Sequence, residues 1–418
     1  MSHNQADRQQ DKWALTKIRE AAQKYGLDLR GGLVRRTSSR FCLGVEHGDY
    51  NGTELFGVGT DRFIWVGYRP REDKKFKLFS CNFEEEGLVE FASGQIPPPQ
   101  SSIIADRWAR FPWGIDYIVN RQGLKIEKGM NAVIIGNIPG GGMSRSASLT
   151  INLLLCFLEV NQIKIDDPFE IVEMAQAVEN DYIGSPCGQL DQIMILFARP
   201  DTGVHYEPRR QKINYLPLGK EGHKLRLVLL DTGTQRPGLE KSTYRRRRQE
   251  CEELVSQLRR DGYPVNYLAD IKDEALYQEI IKRYGGSHPQ QCQRLKYIYE
   301  AQKRFSLMLE AWQQGDINTV GQVFRQDGLG LRDDYQISGP ELETMCDLAR
   351  SVPGVLGERM LGGGDKGAAG ALVLEDSVEE LKKAVAVGYP RSHPAYADSY
   401  AVHVCRVVGG VTVLKQRL

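Results

Sequence analysis

The chain has no apolar run long enough to cross a bilayer. Its densest, around Leu153-Leu154-Leu155-Cys156-Phe157-Leu158, falls well short of the roughly 20 residues that a span requires. The polar amino terminus, Met1 to Lys12, lacks the apolar core of a signal peptide. Charge of one sign is missing too. With 55 basic and 54 acidic residues the net charge is +1, so no global field points toward nucleic acid or an anionic membrane. The 8 cysteines (Cys42, Cys81, Cys156, Cys187, Cys251, Cys292, Cys346, Cys405) have no paired spacing, so neither a disulfide framework nor a zinc site is indicated. They fit small buried apolar side chains. His205, His223, His288, His393 and His403 show no ligand-like spacing either. These exclusions leave a soluble cytoplasmic enzyme with local binding sites.

What is present is ordinary globular material: 41% hydrophobic and 26% charged residues. At 418 residues the chain exceeds the size at which one core stops growing, which predicts two domains. The polar stretch Gly219-Lys220-Glu221-Gly222 sets the expected boundary near Lys220, giving 1–220 and 221–418. Strand-like runs (Phe63-Ile64-Trp65-Val66, Lys77-Leu78-Phe79, Leu225 to Leu230, Gly370 to Leu374, Ala401 to Cys405) alternate with amphipathic helical ones such as Thr243 to Leu258 and Gln293 to Trp312. The pattern is mixed α and β.

Gly140-Gly141-Gly142-Met143-Ser144-Arg145-Ser146-Ala147-Ser148 follows the β-branched run Ala132-Val133-Ile134-Ile135 and feeds an apolar helical segment, Leu149 to Leu158. Strand, glycine turn and helix in that order form an anion cradle, because glycine leaves backbone N–H groups uncovered and the helix start adds unpaired donors. A nucleotide phosphate is the ligand this suggests. The loop is neither a Walker loop nor a Gly-x-Gly-x-x-Gly dinucleotide turn. Taken alone it is equally compatible with close packing of two backbones.

Three more segments hold candidate chemistry. In Arg40 to Gly52, the residues Glu46, His47 and Asp49 crowd a turn after a short apolar strand, an arrangement suited to dividing the hydroxyls of a sugar, or else a solvated turn. In Ala175 to Gln192, Pro186 and Gly188 interrupt two helical patterns, and Asp191 falls in the first turn of the helix Leu190 to Phe197. A carboxylate there is a helix-start residue or a partly desolvated base. In Gly357 to Gly370 a second glycine-rich loop leads into a strand, as a site beside the phosphates or as a surface hairpin. The run Arg245 to Arg248 is followed by Glu250, Glu252 and Glu253, which favours a solvated helix face over a nucleic-acid patch. Trp108 and Trp113 read as core or cleft-wall aromatics.

Taken in order, these segments resemble the galactokinase branch of the GHMP kinases. Arg40 to Gly52 is similar to that family's Gly-Arg-Val-Asn-Leu-Ile-Gly-Glu-His-Thr-Asp-Tyr-Asn-Gly signature, and Gly140 to Ser148 to its Gly-Leu-Ser-Ser-Ser-Ala-Ser phosphate loop. Glu179-Asn180 through Asp191-Gln192, Tyr244 to Glu252 and Leu331 to Leu342 resemble three further family motifs. The resemblance implies a two-domain α+β GHMP kinase fold with the active site in the interdomain cleft. It implies ATP-dependent phosphorylation of the anomeric hydroxyl of galactose or a related sugar, with Asp191 as base and Arg40 as its partner. Glu46, His47, Asp49, Gly188 and Tyr244 would hold the sugar. Gly140, Gly141, Gly142, Ser144, Arg145 and Ser146 would hold ATP, and Ser146 and Glu179 would hold Mg2+. Beyond sugar and ATP it implies no nucleic-acid or membrane partner, and a monomer or weak homo-oligomer.

The sequence also departs from the family pattern. Arg145 replaces the middle serine of the phosphate loop, which is one residue shorter after Pro139. Arginine cannot ligate a cation, so Ser144 or Ser146 substitutes, or Arg145 itself neutralises phosphate charge. Asp365-Lys366 stands where Phe-Gly is usual, placing a carboxylate near the nucleotide phosphates. Cys42, Val45 and Gly48 replace Asn, Gly and Thr, and Ser38-Ser39 precede Arg40 in place of Pro-Gly. The acidic sugar ligands are retained, and Glu46 favours a neutral sugar with a free primary hydroxyl over a uronic acid. Two alternatives stay open: a weakly catalytic sugar and nucleotide sensor, and a kinase for N-acetylgalactosamine, L-arabinose or galacturonate.

Overall fold

The computed structural model describes residues 3–234 and 242–418. Among these, two sheets form. The first has eight strands: β1 (Leu33–Gly44), β2 (Leu55–Pro70), β3 (Lys75–Ser80), β4 (Leu88–Ala92), β5 (Met130–Gly136), β6 (Thr202–Glu207), β7 (Lys212–Pro217) and the carboxyl-terminal β12 (Val411–Val413). Its order is β12-β1-β2-β5-β3-β4, with β6 on β2 and β7 on β6. Only β3 and β5 pair in parallel. The second sheet, β11-β8-β10-β9, is antiparallel and built from β8 (Leu225–Asp231), β9 (Val355–Leu361), β10 (Ala368–Leu374) and β11 (Ala401–Cys405).

The helices are α1 (His3–Lys24), α2 (Arg110–Arg121), α3 (Arg145–Val160), α4 (Pro168–Ala177), α5 (Leu190–Leu196), α6 (Thr243–Arg260), α7 (Glu274–Tyr284), α8 (Pro289–Gln314), α9 (Ile317–Asp333), α10 (Pro340–Arg350) and α11 (Val378–Ser392). None of the described helices is long and apolar enough to cross a membrane. Helix α3 is apolar almost all round and is buried against β1, β2 and α2, as expected of a helix enclosed in a core. One continuous apolar core reaches from Ile134 and Leu153 at the first sheet to Leu229 and Leu372 at the second.

The strand expectations coincide with β2, β3, β5, β8, β10 and β11, and the four helical ones with α3, α5, α6 and α8. All eight cysteines are unpaired, and all but the half-buried Cys81 are buried. The polar first residues behave otherwise than their composition suggests: they form α1, which seats Ala14, Leu15 and Ile18 on Phe63, Trp65 and Val133 across the outer face of the first sheet. Asp11 secures it, accepting from Arg36 Nη1 at 2.9 Å and Trp65 Nε1 at 2.8 Å. The arginine run on α6 is paired along the helix, with Arg246 and Arg247 on Glu250 and Arg248 on Glu252. Buried Arg294 of α8 joins Glu250 at 2.7 Å, so part of this face is interior rather than solvated.

Candidate active site

A cleft of about 720 Å³ opens where β1, the β5–α3 turn, α5, α6 and the β9–β10 hairpin meet. Its walls include every residue to which the family resemblance gave a role: Arg40, Glu46, His47, Asp49, Gly140, Gly141, Gly142, Ser144, Arg145, Ser146, Glu179, Gly188, Asp191 and Tyr244. At its centre Arg40, 2% exposed, points from β1 to Asp191 in the first turn of α5. Arg40 Nε donates to Asp191 Oδ1 at 2.7 Å, and its Nη1 donates to the carbonyl of Gly142 at 2.6 Å. One guanidinium thus joins the α5 carboxylate to the glycine turn. Burial works against its charge, but the carboxylates of Asp191 and Glu46 outweigh this and hold its pKa above the ordinary value. The Asp191 side chain keeps 31% of its surface exposed, facing the cleft.

The turn after β1 brings carboxylates and rings together. Gly48 lets it close, because a Cβ there would lie 2.0 Å from Thr53 Oγ1. Where the family pattern has threonine at this position, the space is filled from Thr53 instead. Asp49 accepts the backbone N–H groups of Tyr50 at 3.0 Å and Leu190 at 3.2 Å. Burial nonetheless pushes its carboxyl up to about 6, with the charge of Asp191 adding to the rise and the two N–H groups opposing it. Gly188 is there for space: a Cβ would sit 1.9 Å from Asp49 Oδ2. His47 packs 5.2 Å from the ring of Tyr244 and 5.1 Å from Tyr335, with its Nδ1 3.0 Å from the Tyr50 hydroxyl.

The β5–α3 turn has a physical reason for each of its special residues. Gly142 and Ser144 adopt positive φ, 75° and 56°, and Ser144 caps α3 without using its side chain. Its Oγ is buried with no protein partner. Gly141 packs on the second glycine loop: a Cβ would meet Gly367 Cα at 2.4 Å. The glycine run thus carries a backbone-to-backbone contact and also lines the cleft. That second loop is no free surface hairpin. Gly362 and Gly363 line the cleft, while Asp365 turns away to accept from Thr243 Oγ1 at 2.7 Å at the start of α6. The carboxylate that stands in place of Phe-Gly is thereby taken up by α6.

Glu179 sits in a π-helical turn, Val178–Ile183, buried at the cleft wall with Gln192 Nε2 3.5 Å from its Oε1. Such turns widen the helix and commonly mark sites. No group of three or more His, Cys, Asp or Glu among the described residues could hold a metal alone. One buried carboxylate with the hydroxyls of Ser144 and Ser146 on the walls of the same cleft is nevertheless a set that suits magnesium, which takes few protein ligands and fills its shell from phosphates and water.

Sequence reasoning missed one residue buried behind the cleft and several on its walls. Arg359 of β9 is fully buried and lies 3.3 Å from Glu46 Oε2, with its Nη2 also donating to the Cys42 carbonyl at 3.0 Å. Its signal was its place beside the second glycine loop. Asn82, Phe83 and Phe111 line the same cleft as the glycine turn, where no spacing marked them. Trp108 is a cleft-wall aromatic, whereas Trp113 is buried under the Arg107 guanidinium, 5.3 Å away.

A glycine turn opening a buried helix, facing an arginine-bound carboxylate across a cleft, is the arrangement of the GHMP kinase class. The family model "GHMP kinases N terminal domain" matches residues 113–199. The Methanococcus jannaschii mevalonate kinase shares this fold, with TM-score 0.63 and 15% identity over 90% of this chain and 99% of its own.

Within that class the chain belongs to the galactokinase family. It is 31% identical to galactokinase of Streptococcus thermophilus over 90% of this chain and 93% of that protein, and 30% identical to that of Fusobacterium nucleatum over 86% and 90%. The crystal structure of Lactococcus lactis galactokinase complexed with galactose superimposes with TM-score 0.87 at 27% identity, covering 96% of this chain and all of that one. The α+β GHMP kinase fold and the sugar kinase class expected from the sequence both stand.

Proposed function

We propose that the protein transfers the terminal phosphoryl group of ATP to the anomeric hydroxyl of galactose or a close relative. The observation that carries this is the Arg40 guanidinium, which bonds both Asp191 and the carbonyl of Gly142. The proton-accepting carboxylate and the phosphate turn are thereby set on one cleft. In the reaction the hydroxyl proton passes to Asp191, the freed oxygen bonds to the γ-phosphorus, and the bond to the ADP oxygen breaks. Arg40 holds Asp191 oriented and spreads positive charge toward the transferring group. Glu46, His47, Asp49, Gly188 and Tyr244 surround the sugar. Gly140 to Gly142, Ser144, Arg145 and Ser146 receive the phosphates.

Glu179 with Ser146 or Ser144 would hold magnesium, which when bound neutralises charge on the nucleotide oxygens. The two sheets mark two domains that share one apolar core, the chain crossing between them near residue 220 and returning through β12. The acceptor is a neutral sugar, because a uronate would bring a second carboxylate to Glu46. With ATP as donor, the cytoplasm is the site of action.

The test is ADP release over a panel of sugars by the native chain and by Asp191→Asn. Sugar-dependent release that falls at least about 10²-fold in the variant is expected. Binding of sugar and ATP without turnover by the native chain would instead identify a sensor. Faster turnover of galacturonate than of galactose would overturn the assignment of Glu46.

A further inference from the structure

Resting on the nucleotide side of that reading, we infer that Arg145 supplies to the terminal phosphates part of the positive charge that a divalent cation otherwise provides, so that this chain binds a nucleoside triphosphate without metal. Arg145 is the first residue of α3 and lines the cleft together with Gly140, Gly141, Gly142 and Ser144. Its guanidinium lies 5.6 Å over the ring of Phe83, another cleft wall. Among the described residues it forms no ion pair. Its remaining electrostatic partner is Asp231 at the end of β8, beyond salt-bridge distance. A cation resting on one cleft wall and left without an ion pair beside the glycine turn has its charge available to a ligand. The Ser144 Oγ, buried and unpartnered on the same turn, marks the turn as built to be completed by acceptor atoms.

The chemistry follows from the residue type. A guanidinium presents planar donors that match two phosphate oxygens at once, and such charge-assisted bonds are about twice as strong as neutral ones. It cannot bind a cation, so it replaces the metal's charge and not its ligand sphere. A serine at this position would offer one hydroxyl and leave neutralisation to the metal.

The experiment is equilibrium binding of ATP by calorimetry, in EDTA and in excess magnesium, to the native chain, Arg145→Ser and Arg145→Lys. No turnover is required, and the exposed position lets the variants fold, as matched melting curves would verify. The native Kd is expected to differ between the two conditions by less than about threefold. Arg145→Ser should lose about tenfold or more in EDTA but under about threefold with magnesium, with Arg145→Lys between. Unchanged binding by Arg145→Ser in EDTA, or equal loss under both conditions, would overturn the inference. A native chain that binds ATP under neither condition would overturn the kinase reading itself.

Discussion

At the scale of the residue, Asp49 as the proposed sugar ligand would join protonation to recognition. Its carboxyl titrates near 6 in the fold, against an ordinary value of 3.8, chiefly because burial disfavours the ion. The folded chain therefore holds more protons than the unfolded one between these values. The resulting contribution to stability is fully present below 3.8 and is lost as pH rises through 6. Recognition runs the other way, since a carboxylate accepts sugar hydroxyls better than a neutral acid. The KM for sugar should rise up to about tenfold per pH unit below 6 while the KM for ATP stays level, and Asp49→Asn should flatten that dependence. A KM profile for sugar that is level from pH 5 to 8 in the native chain would remove Asp49 from the site. Gly188 acts on the same carboxylate: Gly188→Ala drives a methyl into Asp49 Oδ2. Weaker sugar binding and a loss of about 1–3 kcal/mol in chemical denaturation are expected.

Elements show why some of the site could be read in the sequence and some could not. The β5 run, the glycine turn and the buried α3 are each set by local chemistry, through β-branched strand formers, positive φ and an apolar helix, and all three appear in the amino-acid order. Asp191 was visible as a helix-start carboxylate beside Pro186 and Gly188, because chain breakers and polar caps act over a few residues. Long-range partners leave no such trace. Nothing local to Asp365 predicts that its carboxylate will be taken up by Thr243, 122 positions away. Helix α1 escaped notice because its outer face is polar and only a thin apolar stripe touches the sheet. The contact between the two glycine loops is equally nonlocal, and it makes a sharp prediction. Gly141→Ala places a Cβ 2.4 Å from Gly367 Cα and should cost about 1–3 kcal/mol of stability while weakening ATP binding. Gly140, whose added Cβ meets nothing within 4 Å, should accept alanine with an unchanged melting curve.

Across the whole molecule, charge of alternating sign runs from the first sheet into the helices behind the second: Asp191, Arg40, Glu46, Arg359, Asp327 and Arg304. Asp191 and Arg40 are bonded, Arg40 and Glu46 interact through space, and Glu46 lies 3.3 Å from Arg359. Arg359 in turn feels Asp327, which accepts from Arg304 at 2.8 Å. The link between Glu46 after β1 and Arg359 on β9 is the step that ties the sugar turn to the second sheet. A buried pair of this kind adds little net stability over an apolar one, but removing one partner strands the other. Arg359→Gln should therefore cost about 3–5 kcal/mol in denaturant unfolding and raise the KM for sugar much more than that for ATP. The double variant Glu46→Gln with Arg359→Gln removes both charges, so it should regain most of the stability while sugar affinity stays low. If stability and sugar affinity recover together in the double variant, Glu46 serves the fold alone. If the single variant loses neither, the charge chain does not hold the sugar turn against the second sheet.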